Sequence, residues 1–312
     1  MLIFGPVPSR RLGRSLGINH IPPYVCSYSC VYCQLGRVKK MQAARQQFYH
    51  TDILMREVEK KISKTVDANE SIDYLAFVPD GEPTLDINLG KVIDRVQSFN
   101  IPIAVITNSS LIWKDDVQED LCKADWVSLK IDTTRKSVWK RMNRPFHSLS
   151  FQKILDGLIV FSGKFKGHLV TETMLANGYN HDVNQIRETA EFIQNLSADT
   201  AYISVPTRPP AEKKIRPPSE KQLVQAYRLF CSQLKKVEYL TGYEGNTFAL
   251  TGDAETDLLA ITSVHPMRKD AVDAFLQKAG AKWSLVRRLM EENKMTETEY
   301  SNQIYYIKNL KQ

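Results

Sequence analysis

Hydrophobic and polar residues follow helical and strand periods in turn from residue 51 to about residue 235. The first helical segment carries an apolar residue at every fourth position: Leu54, Val58, Ile62 and Val66. This spacing is typical of one face of an amphipathic helix, which Thr51 or Asp52 can cap at its start. The short apolar run YLAFV at 74–78 then predicts a buried strand.

The same cycle continues along the chain and predicts a series of strands with helices between them. Six strands are expected, at 14–21, 74–78, 101–107, 125–131, 168–175 and 200–205. Helices are expected near 51–66, 86–98, 115–122, 134–143, 150–163 and 183–193. Because alternating strands and helices are joined by right-handed crossovers, the pattern predicts an α/β domain with a parallel sheet, open or curled toward a barrel.

The last third of the chain predicts a different organisation. Residues 206–221 contain five prolines and a net charge of +3, which predicts an extended arm before a helix that begins near Ser219. Helices near 254–263, 268–279 and 282–292 and a hairpin within 295–308 follow. We therefore predict a first domain over 1–235, a linker over 236–253 and a small winged-helix-like domain over 254–312.

In DNA-binding winged helices the third helix enters the major groove, and here it would offer Lys282, Arg287 and Arg288. However, residues 254–312 hold nine basic and eight acidic side chains, which is nearly balanced. Binding to duplex DNA depends on an excess of positive charge. Packing or protein contact is therefore the favoured role of this domain.

Composition and charge narrow the classes of protein that fit. The chain has 312 residues, of which 43% are hydrophobic and 25% charged, as in ordinary globular proteins. The start lacks the features of a signal peptide, and no stretch approaches about 18 apolar residues, so we expect a cytoplasmic protein.

The net charge of +7 is unevenly distributed, because residues 1–51 contain seven basic side chains and no acidic one. Two interpretations are open. The excess charge would attract an anionic partner such as RNA, a phosphorylated substrate or an acidic electron donor. Alternatively, it would compensate a negatively charged thiolate cluster or form a solvated face.

Three of the five cysteines, Cys26, Cys30 and Cys33, lie within eight positions in the pattern C-x-x-x-C-x-x-C. An odd number of clustered cysteines argues against a disulfide framework and for metal ligation. A structural zinc site needs four ligands, so Cys122, Cys231 or a histidine would have to complete it. A 4Fe-4S cluster held by three cysteines keeps one iron open to an outside chelator, which makes it the favoured interpretation.

Polar groups follow the next predicted strands at the point where each ends. PDGEPT follows the strand at 74–78, NSS follows the strand at 101–107, and Lys130 and Asp132 lie at the end of the strand at 125–131. The carboxyl ends of parallel strands share one edge of a sheet, where ligands bind. We therefore expect these groups and the cysteine loop to surround one site.

The motif C-x-x-x-C-x-aromatic-C, with Tyr32 as the aromatic residue, resembles the radical S-adenosylmethionine (radical SAM) superfamily over about residues 10–210. The resemblance implies a partial six-stranded parallel β/α barrel, with the cluster in the loop after its first strand. It also implies S-adenosylmethionine as a cofactor that chelates the open iron. Reduction of the cluster would then cleave the cofactor, yielding a 5'-deoxyadenosyl radical that abstracts hydrogen from a substrate.

The resemblance also implies roles for individual residues. Cys26, Cys30 and Cys33 would bind the cluster, Tyr32 would contact the adenine side, and the turn Gly81, Glu82 and Pro83 would receive the amino group of the cofactor. Asp80 stands where the family has a first glycine. Asn108, Ser109, Lys130 and Asp132 would contact the ribose and carboxylate of the cofactor, and Glu172 is a further candidate.

Within the superfamily, GEPTL (81–85), TNSSL (107–111) and MNRP (142–145) resemble the wyosine-type transfer-RNA synthases. An RNA substrate would suit the basic start of the chain and the segment RKSVWKRMNR (135–144), in which Trp139 would stack on a base. No cysteine precedes Cys26, so the second cluster of archaeal members of that group has no such ligands here. A flavodoxin- or ferredoxin-type reductant and anaerobic chemistry are implied as well.

Two other functions stay open at this point. The chain would be an activase or peptide-modifying enzyme if its basic surface docks an acidic protein. It would be a redox-sensing transcription regulator if the cluster reports to a DNA-binding winged helix. The DGEP, NSS and K-x-D groups disfavour the regulator, because such a protein needs no cofactor site at the strand ends.

Overall fold

A computed structural model describes residues 2–241, 248, 250, 252–264 and 266–309. The strands, numbered along the chain, are β1 (Ile3–Ser9), β2 (Gly13–Ile18), β3 (Val25–Cys26), β4 (Lys40–Met41), β5 (Tyr74–Phe77), β6 (Ile103–Thr107), β7 (Trp126–Lys130), β8 (His168–Met174), β9 (Thr200–Ser204), β10 (Val237–Leu240), β11 (Met267–Arg268), β12 (Met295–Tyr300) and β13 (Gln303–Lys308). The α-helices are α1 (Thr51–Asp67), α2 (Leu89–Val96), α3 (Asp115–Leu121), α4 (Lys136–Met142), α5 (Phe151–Lys164), α6 (Val183–Gln194), α7 (Glu220–Gln233), α8 (Ala254–Val264), α9 (Lys269–Lys278) and α10 (Trp283–Glu291). Short 3-10 helices lie at Pro83–Leu85 and Gln97–Phe99.

The main sheet has the order β1-β2-β5-β6-β7-β8-β9-β10. Strands from β2 to β10 pair in parallel, and β1 pairs antiparallel with β2 at the edge. All six predicted strands are present, and the prediction of a curled, parallel α/β sheet is confirmed. The central strands are buried on both faces, which explains their nearly continuous apolar sequence.

The sheet has two strands more than the sequence predicted. One is β1, whose residues include Pro6 and Pro8 and which lies at an edge, where proline is tolerated. The other is β10, which pairs in parallel with β9 and lies within the predicted linker at 236–253. Residues 237–240 of the predicted linker thus pair with the main sheet.

The two faces of the sheet carry different side chains. Leu75, Phe77 and Val105 point to the large core that the helices cover. The alternate positions Ala76 and Ala104 belong to a smaller cluster on the inner face. Because successive side chains of a strand point to opposite faces, these small residues leave room inside the curled sheet.

Helix starts agree with the sequence in most cases. Ser219 caps α7 in a capping box with Gln222, close to the predicted start. For α1 the N-cap is His50, whose ring accepts a hydrogen bond from the backbone of Asp52, so neither predicted cap residue has that role. Val66, predicted on the buried face of α1, is 64% exposed because it lies in the last turn.

The C-terminal unit contains the three predicted helices, as α8, α9 and α10, and the predicted hairpin, as β12 and β13. Strand β13 pairs with both β11 and β12. Ser301 and Asn302 adopt positive φ values of 49° and 59° at the hairpin turn, as a tight two-residue turn requires. The winged-helix assignment and the domain boundaries remain predictions.

The C-terminal unit packs against the edge of the main sheet. Phe4 and Val7 of β1 share one hydrophobic cluster with Met267 and Phe275. The unit also contacts the arm, which we define as residues 206–218, because Tyr300 and Tyr305 donate from their hydroxyls to the carbonyl oxygens of residues 206 and 207, at 3.2 and 2.7 Å. The hairpin thus fixes the start of the arm.

Within the part of the chain that the structure describes, none of the helices combines the length and the apolar character that crossing a membrane requires.

Substitution of Phe4 tests the packing of the C-terminal unit on β1. We expect Phe4→Ala to lower the free energy of unfolding by about 3 to 5 kcal/mol, because a buried ring is replaced by a cavity. Val66→Ala, at an exposed apolar position, should change it by less than about 0.5 kcal/mol. Urea denaturation measures both variants, and equal unfolding midpoints would contradict the packing described here.

Candidate cofactor site

The cysteine loop, which we define as residues 19–50 between β2 and α1, lies over the carboxyl ends of the central strands. Cys26 ends β3, which pairs with β4, and the backbone amide of Cys33 donates to the carbonyl oxygen of Cys30 at 3.1 Å. All three cysteine side chains line one cavity with a volume of about 260 Å³. The loop therefore brings the three thiols to a single space.

Most of the predicted site residues surround this thiol cavity. Those that line it are Cys26, Cys30, Tyr32, Cys33, Asp80, Gly81, Glu82, Asn108 and Lys130. Pro83, Ser109 and Asp132 do not line it. The groups that follow four strands in the sequence thus meet at one edge of the sheet, as predicted.

Two amides contact the thiols. Asn108 Nδ2 lies 3.5 Å from Cys26 Sγ, and Asn143 Nδ2 lies 3.6 Å from Cys30 Sγ. Burial raises the pKa of Cys30 to about 12 and raises that of Cys26 as well. A thiol in such surroundings becomes a thiolate ligand only when a bound cation compensates its charge.

The donor set fits a cluster held by three cysteines. No fourth cysteine and no histidine contributes to the cavity wall among the described residues. Cys122 and Cys231 are exposed and lie elsewhere, on or beside helices α3 and α7. In the described ranges, no three His, Cys, Asp or Glu side chains are arranged to hold a single metal ion.

Glu82 is a buried carboxylate that joins two strand ends. Its oxygens accept hydrogen bonds from the hydroxyl of Thr84 at 2.6 Å, the hydroxyl of Thr107 at 2.6 Å and the backbone amide of Asn108 at 2.7 Å. Burial raises the pKa of Glu82, and these hydrogen bonds oppose that rise. The side chain thus fixes the turn after β5 to the end of β6.

The turn at Gly81 leaves no space for a side chain. A Cβ atom on Gly81 would lie 1.9 Å from the carbonyl oxygen of Val25, next to the first cysteine. His20 holds the same turn, because its Nε2 lies 3.1 Å from the carbonyl oxygen of Pro83. Burial lowers the pKa of His20 to about 4, so this histidine is neutral and acts as a donor.

Asp80 has one oxygen engaged and one without a partner. Its Oδ2 accepts from Asn19 Nδ2 at 2.8 Å, and its buried Oδ1 has no hydrogen-bond partner. Burial raises the pKa of Asp80 to about 6. A buried polar atom without a partner on a cavity wall is a candidate contact for a bound molecule.

Tyr32 and Asp132 belong to one hydrogen-bond network. The Tyr32 hydroxyl donates to Asp132, and Asn143 Nδ2 donates both to Asp132 at 2.7 Å and to the Tyr32 oxygen at 3.1 Å. The other oxygen of Asp132 accepts from the amide of Met174 at 2.9 Å. Asp132 therefore positions Tyr32 of the cysteine loop, although Asp132 itself does not line the thiol cavity.

Lys130 forms an ion pair with Glu172. Lys130 Nζ donates to Glu172 Oε1 at 2.7 Å, and Arg11 donates to Glu172 Oε2 at 2.6 Å. Burial alone would lower the pKa of Lys130. The negative charges of Glu172 and Asp132 outweigh this effect, so the pKa of Lys130 is raised. Arg11 was not predicted as a site residue, because it lies far from Glu172 in the sequence.

Two residues that the sequence assigned to binding, Ser109 and Trp139, are buried and form hydrogen bonds within the protein. Ser109 is buried with a φ of 64°, and its amide donates to Thr107 Oγ1 at 3.0 Å. Trp139, predicted to stack on a base, is buried and donates from Nε1 to the Tyr28 hydroxyl at 2.9 Å. The stacking prediction is wrong, because helix α4 turns this ring into the core.

Comparisons with known proteins agree with this geometry. The family model of the Radical SAM superfamily matches residues 21–193, which is more than half of the chain. UPF0026 protein MJ1312 of Methanocaldococcus jannaschii is 44% identical over 312 residues that cover 99% of this chain and 97% of that protein.

Solved structures resemble the chain at lower sequence identity. A radical SAM methyltransferase from Sphaerobacter thermophilus matches with a TM-score of 0.55 and 11% identity over 73% of this chain and 66% of that one. This likeness concerns the fold alone. Archaeal TYW1 matches with a TM-score of 0.48 and 14% identity over 70% of this chain and 72% of that one.

The family model covers most of the cysteine loop and the strand ends, and the Methanocaldococcus relative spans nearly the whole chain. Together they determine the family of this protein. The chain therefore belongs to the radical SAM superfamily and to its UPF0026 family.

Proposed function

We propose that this protein binds a 4Fe-4S cluster through Cys26, Cys30 and Cys33, binds S-adenosylmethionine beside it and modifies an RNA substrate, with transfer RNA as the candidate. The observation that carries the proposal is the thiol cavity itself, where three thiols and the polar groups of three further strand ends face one space. When bound, the cluster and its cofactor supply one-electron cleavage of a carbon–sulfur bond.

The residues of the cavity wall match the chemistry of the cofactor. S-adenosylmethionine carries an ammonium, a carboxylate, a ribose diol and an adenine. The unpartnered Oδ1 of Asp80 is a buried acceptor that suits the ammonium. Asn108 and Lys130 offer polar contacts on the wall for the carboxylate and ribose, and Tyr32 offers its ring for the adenine side.

Glu82 contributes by positioning, because its oxygens already accept several hydrogen bonds inside the protein. Tyr32 and Asn143 hold the cysteine loop against Asp132. The arm is also joined to the cysteine loop, since the amide of Glu212 in the arm donates to the carbonyl oxygen of Val31 at 3.0 Å.

The surface near the cavity supports an anionic partner. Arg37, Lys39 and Lys40 are exposed in the cysteine loop, and Lys136, Lys140 and Arg141 are exposed on α4. Such a surface favours the phosphate backbone of RNA, and it would also attract an acidic reductant of the flavodoxin or ferredoxin type. We propose action in the cytoplasm with such a reductant as partner.

The two other functions have weaker support. A peptide-modifying enzyme or activase would also use the thiol cavity, and the experiment with RNA below separates it from the proposed function. A DNA-binding regulator would use α10, where Arg288 is paired with Glu255 and lies 4.0 Å from Glu292. These ion pairs reduce the charge that this helix offers to a duplex.

Removal of one thiol tests the cluster. We expect Cys30→Ala to reduce the formation of 5'-deoxyadenosine to background after anaerobic reconstitution and reduction, because two thiols remain where three are needed. Cys122→Ala, at an exposed cysteine away from the cavity, should retain wild-type activity. Undiminished 5'-deoxyadenosine from Cys30→Ala, or zinc in place of iron in the wild-type protein, would contradict the assignment.

Substitution of Asp80 tests the contact with the ammonium. We expect Asp80→Asn to weaken S-adenosylmethionine binding by about 10- to 100-fold, because a hydrogen bond to a charged group contributes about 1.5 to 3 kcal/mol. Asp86→Asn is the matched control, since Asp86 is also buried and burial also raises its pKa to about 6. Equilibrium dialysis of the unreduced protein measures both, and equal affinities would refute the role of Asp80.

Addition of transfer RNA tests the substrate. We expect bulk transfer RNA to increase 5'-deoxyadenosine formation and to gain a modified nucleoside that mass spectrometry of its digest detects. The control omits the reductant, and no new nucleoside should then appear. Cleavage of the cofactor that is unaffected by RNA but increases with a cell peptide fraction would favour the peptide-modifying function instead.

A further inference from the structure

A second cavity lies beside the thiol cavity and is lined by arginines. Its volume is about 300 Å³, within the range of small-molecule sites. Tyr32, Cys33 and Glu172 belong to the walls of both cavities. A group bound in the second cavity would therefore lie next to the proposed site of cofactor cleavage.

Positive charge dominates the wall of this second cavity. Arg10, Arg11 and Arg208 contribute to it, and Glu172 is its one acidic residue among those described. Glu172 is already bound by Lys130 and Arg11, at 2.7 and 2.6 Å. Lys130 and Arg11 share this one carboxylate, so their two positive charges exceed its single negative charge.

Two of the arginines, Arg11 and Arg208, are held by contacts with their surroundings. The Arg11 guanidinium carbon lies 5.8 Å from the ring centroid of Trp126 and 5.9 Å from that of Tyr202. Arg208 Nη1 donates to Gln34 Oε1, in the cysteine loop, at 2.7 Å. Guanidinium groups fixed in this way lose little conformational entropy when an oxyanion binds.

The arm brings Arg208 to the cavity, together with Thr207. The carbonyl oxygen of Thr207 accepts the hydroxyl hydrogen bond of Tyr305, from the C-terminal hairpin. Thus five parts of the chain line the second cavity: the loop after β1, the cysteine loop, the end of β8, the end of β9 with the arm, and β10.

We infer that the second cavity binds a phosphate group of a nucleotide substrate through Arg10, Arg11 and Arg208. Guanidinium groups match phosphate in geometry and bind it with paired, charge-assisted hydrogen bonds. The inference deepens the proposed function, on which it rests for the identity of the neighbouring site. It assigns recognition of the substrate to a cavity beside the thiol cavity, with Cys33 in the wall of both.

Nucleotide binding to the reconstituted, unreduced full chain tests the inference. The titrations use guanosine 5'-monophosphate and guanosine in the presence of saturating S-adenosylmethionine, so that the cofactor site is occupied. We expect the monophosphate to bind at least about tenfold more tightly than the nucleoside, and Arg208→Gln to remove most of that difference. A single-stranded RNA oligonucleotide is titrated in parallel to show whether the phosphate comes from RNA or from a free nucleotide.

Arg187→Gln is the matched control, because Arg187 is an exposed arginine of α6 that lines neither cavity. It should bind the monophosphate as the wild type does. If Arg208→Gln lowers the melting temperature, Arg208→Lys serves as the second variant and should lose an intermediate part of the affinity.

Equal affinity for guanosine and its monophosphate, or no binding of either, would overturn the inference, and so would full affinity in both Arg208 variants. The titrations need no reductant and no cofactor cleavage. A parallel series omits both reconstitution and S-adenosylmethionine. That series tests the arginines even if the cluster assignment fails, so the two proposals can fail separately.

Discussion

The buried carboxylate of Glu82 is the interaction on which the geometry of the thiol cavity depends. It links the turn after β5 to the end of β6 through Thr84, Thr107 and the amide of Asn108. A carboxylate removed from water is costly unless donors replace the lost hydration. Because Asn108 also donates to Ser27 Oγ at 2.9 Å and lies 3.5 Å from Cys26 Sγ, the same carboxylate determines where the cysteine loop lies.

Close backbone packing strengthens this arrangement. Gly81 approaches the carbonyl oxygen of Val25 so closely that any side chain would displace the cysteine loop. On the inner face of the sheet, Ala76 and Ala104 share one cluster with the larger side chains of Trp126 and Tyr202. The position of the cysteine loop therefore depends on backbone packing at Gly81 as well as on the hydrogen bonds of Glu82.

Much of the fold could be predicted from the sequence, because buried parallel strands are apolar runs with helices between them. The edge strands β1 and β10 could not be predicted. The prolines in β1 and the charged residues beside β10 are typical of loop sequences. Motif spacing located the thiols and strand ends. It missed Asn143 and Arg208, and it placed Trp139 on the surface, because such contacts join segments that only the tertiary structure brings together.

The hydroxyl contacts of Tyr300 and Tyr305 with the arm have a consequence for how such a protein can diversify. They attach the arm, which forms one wall of the second cavity, to the hairpin of β12 and β13, which follows the whole α/β sheet in the chain. Substitutions in the hairpin would thus move the start of the arm and one wall of that cavity, while the hydrogen bonds of Glu82 hold the thiol cavity independently. Under the proposed function, related proteins would acquire new substrates through changes in the hairpin, without changes at the three cysteines.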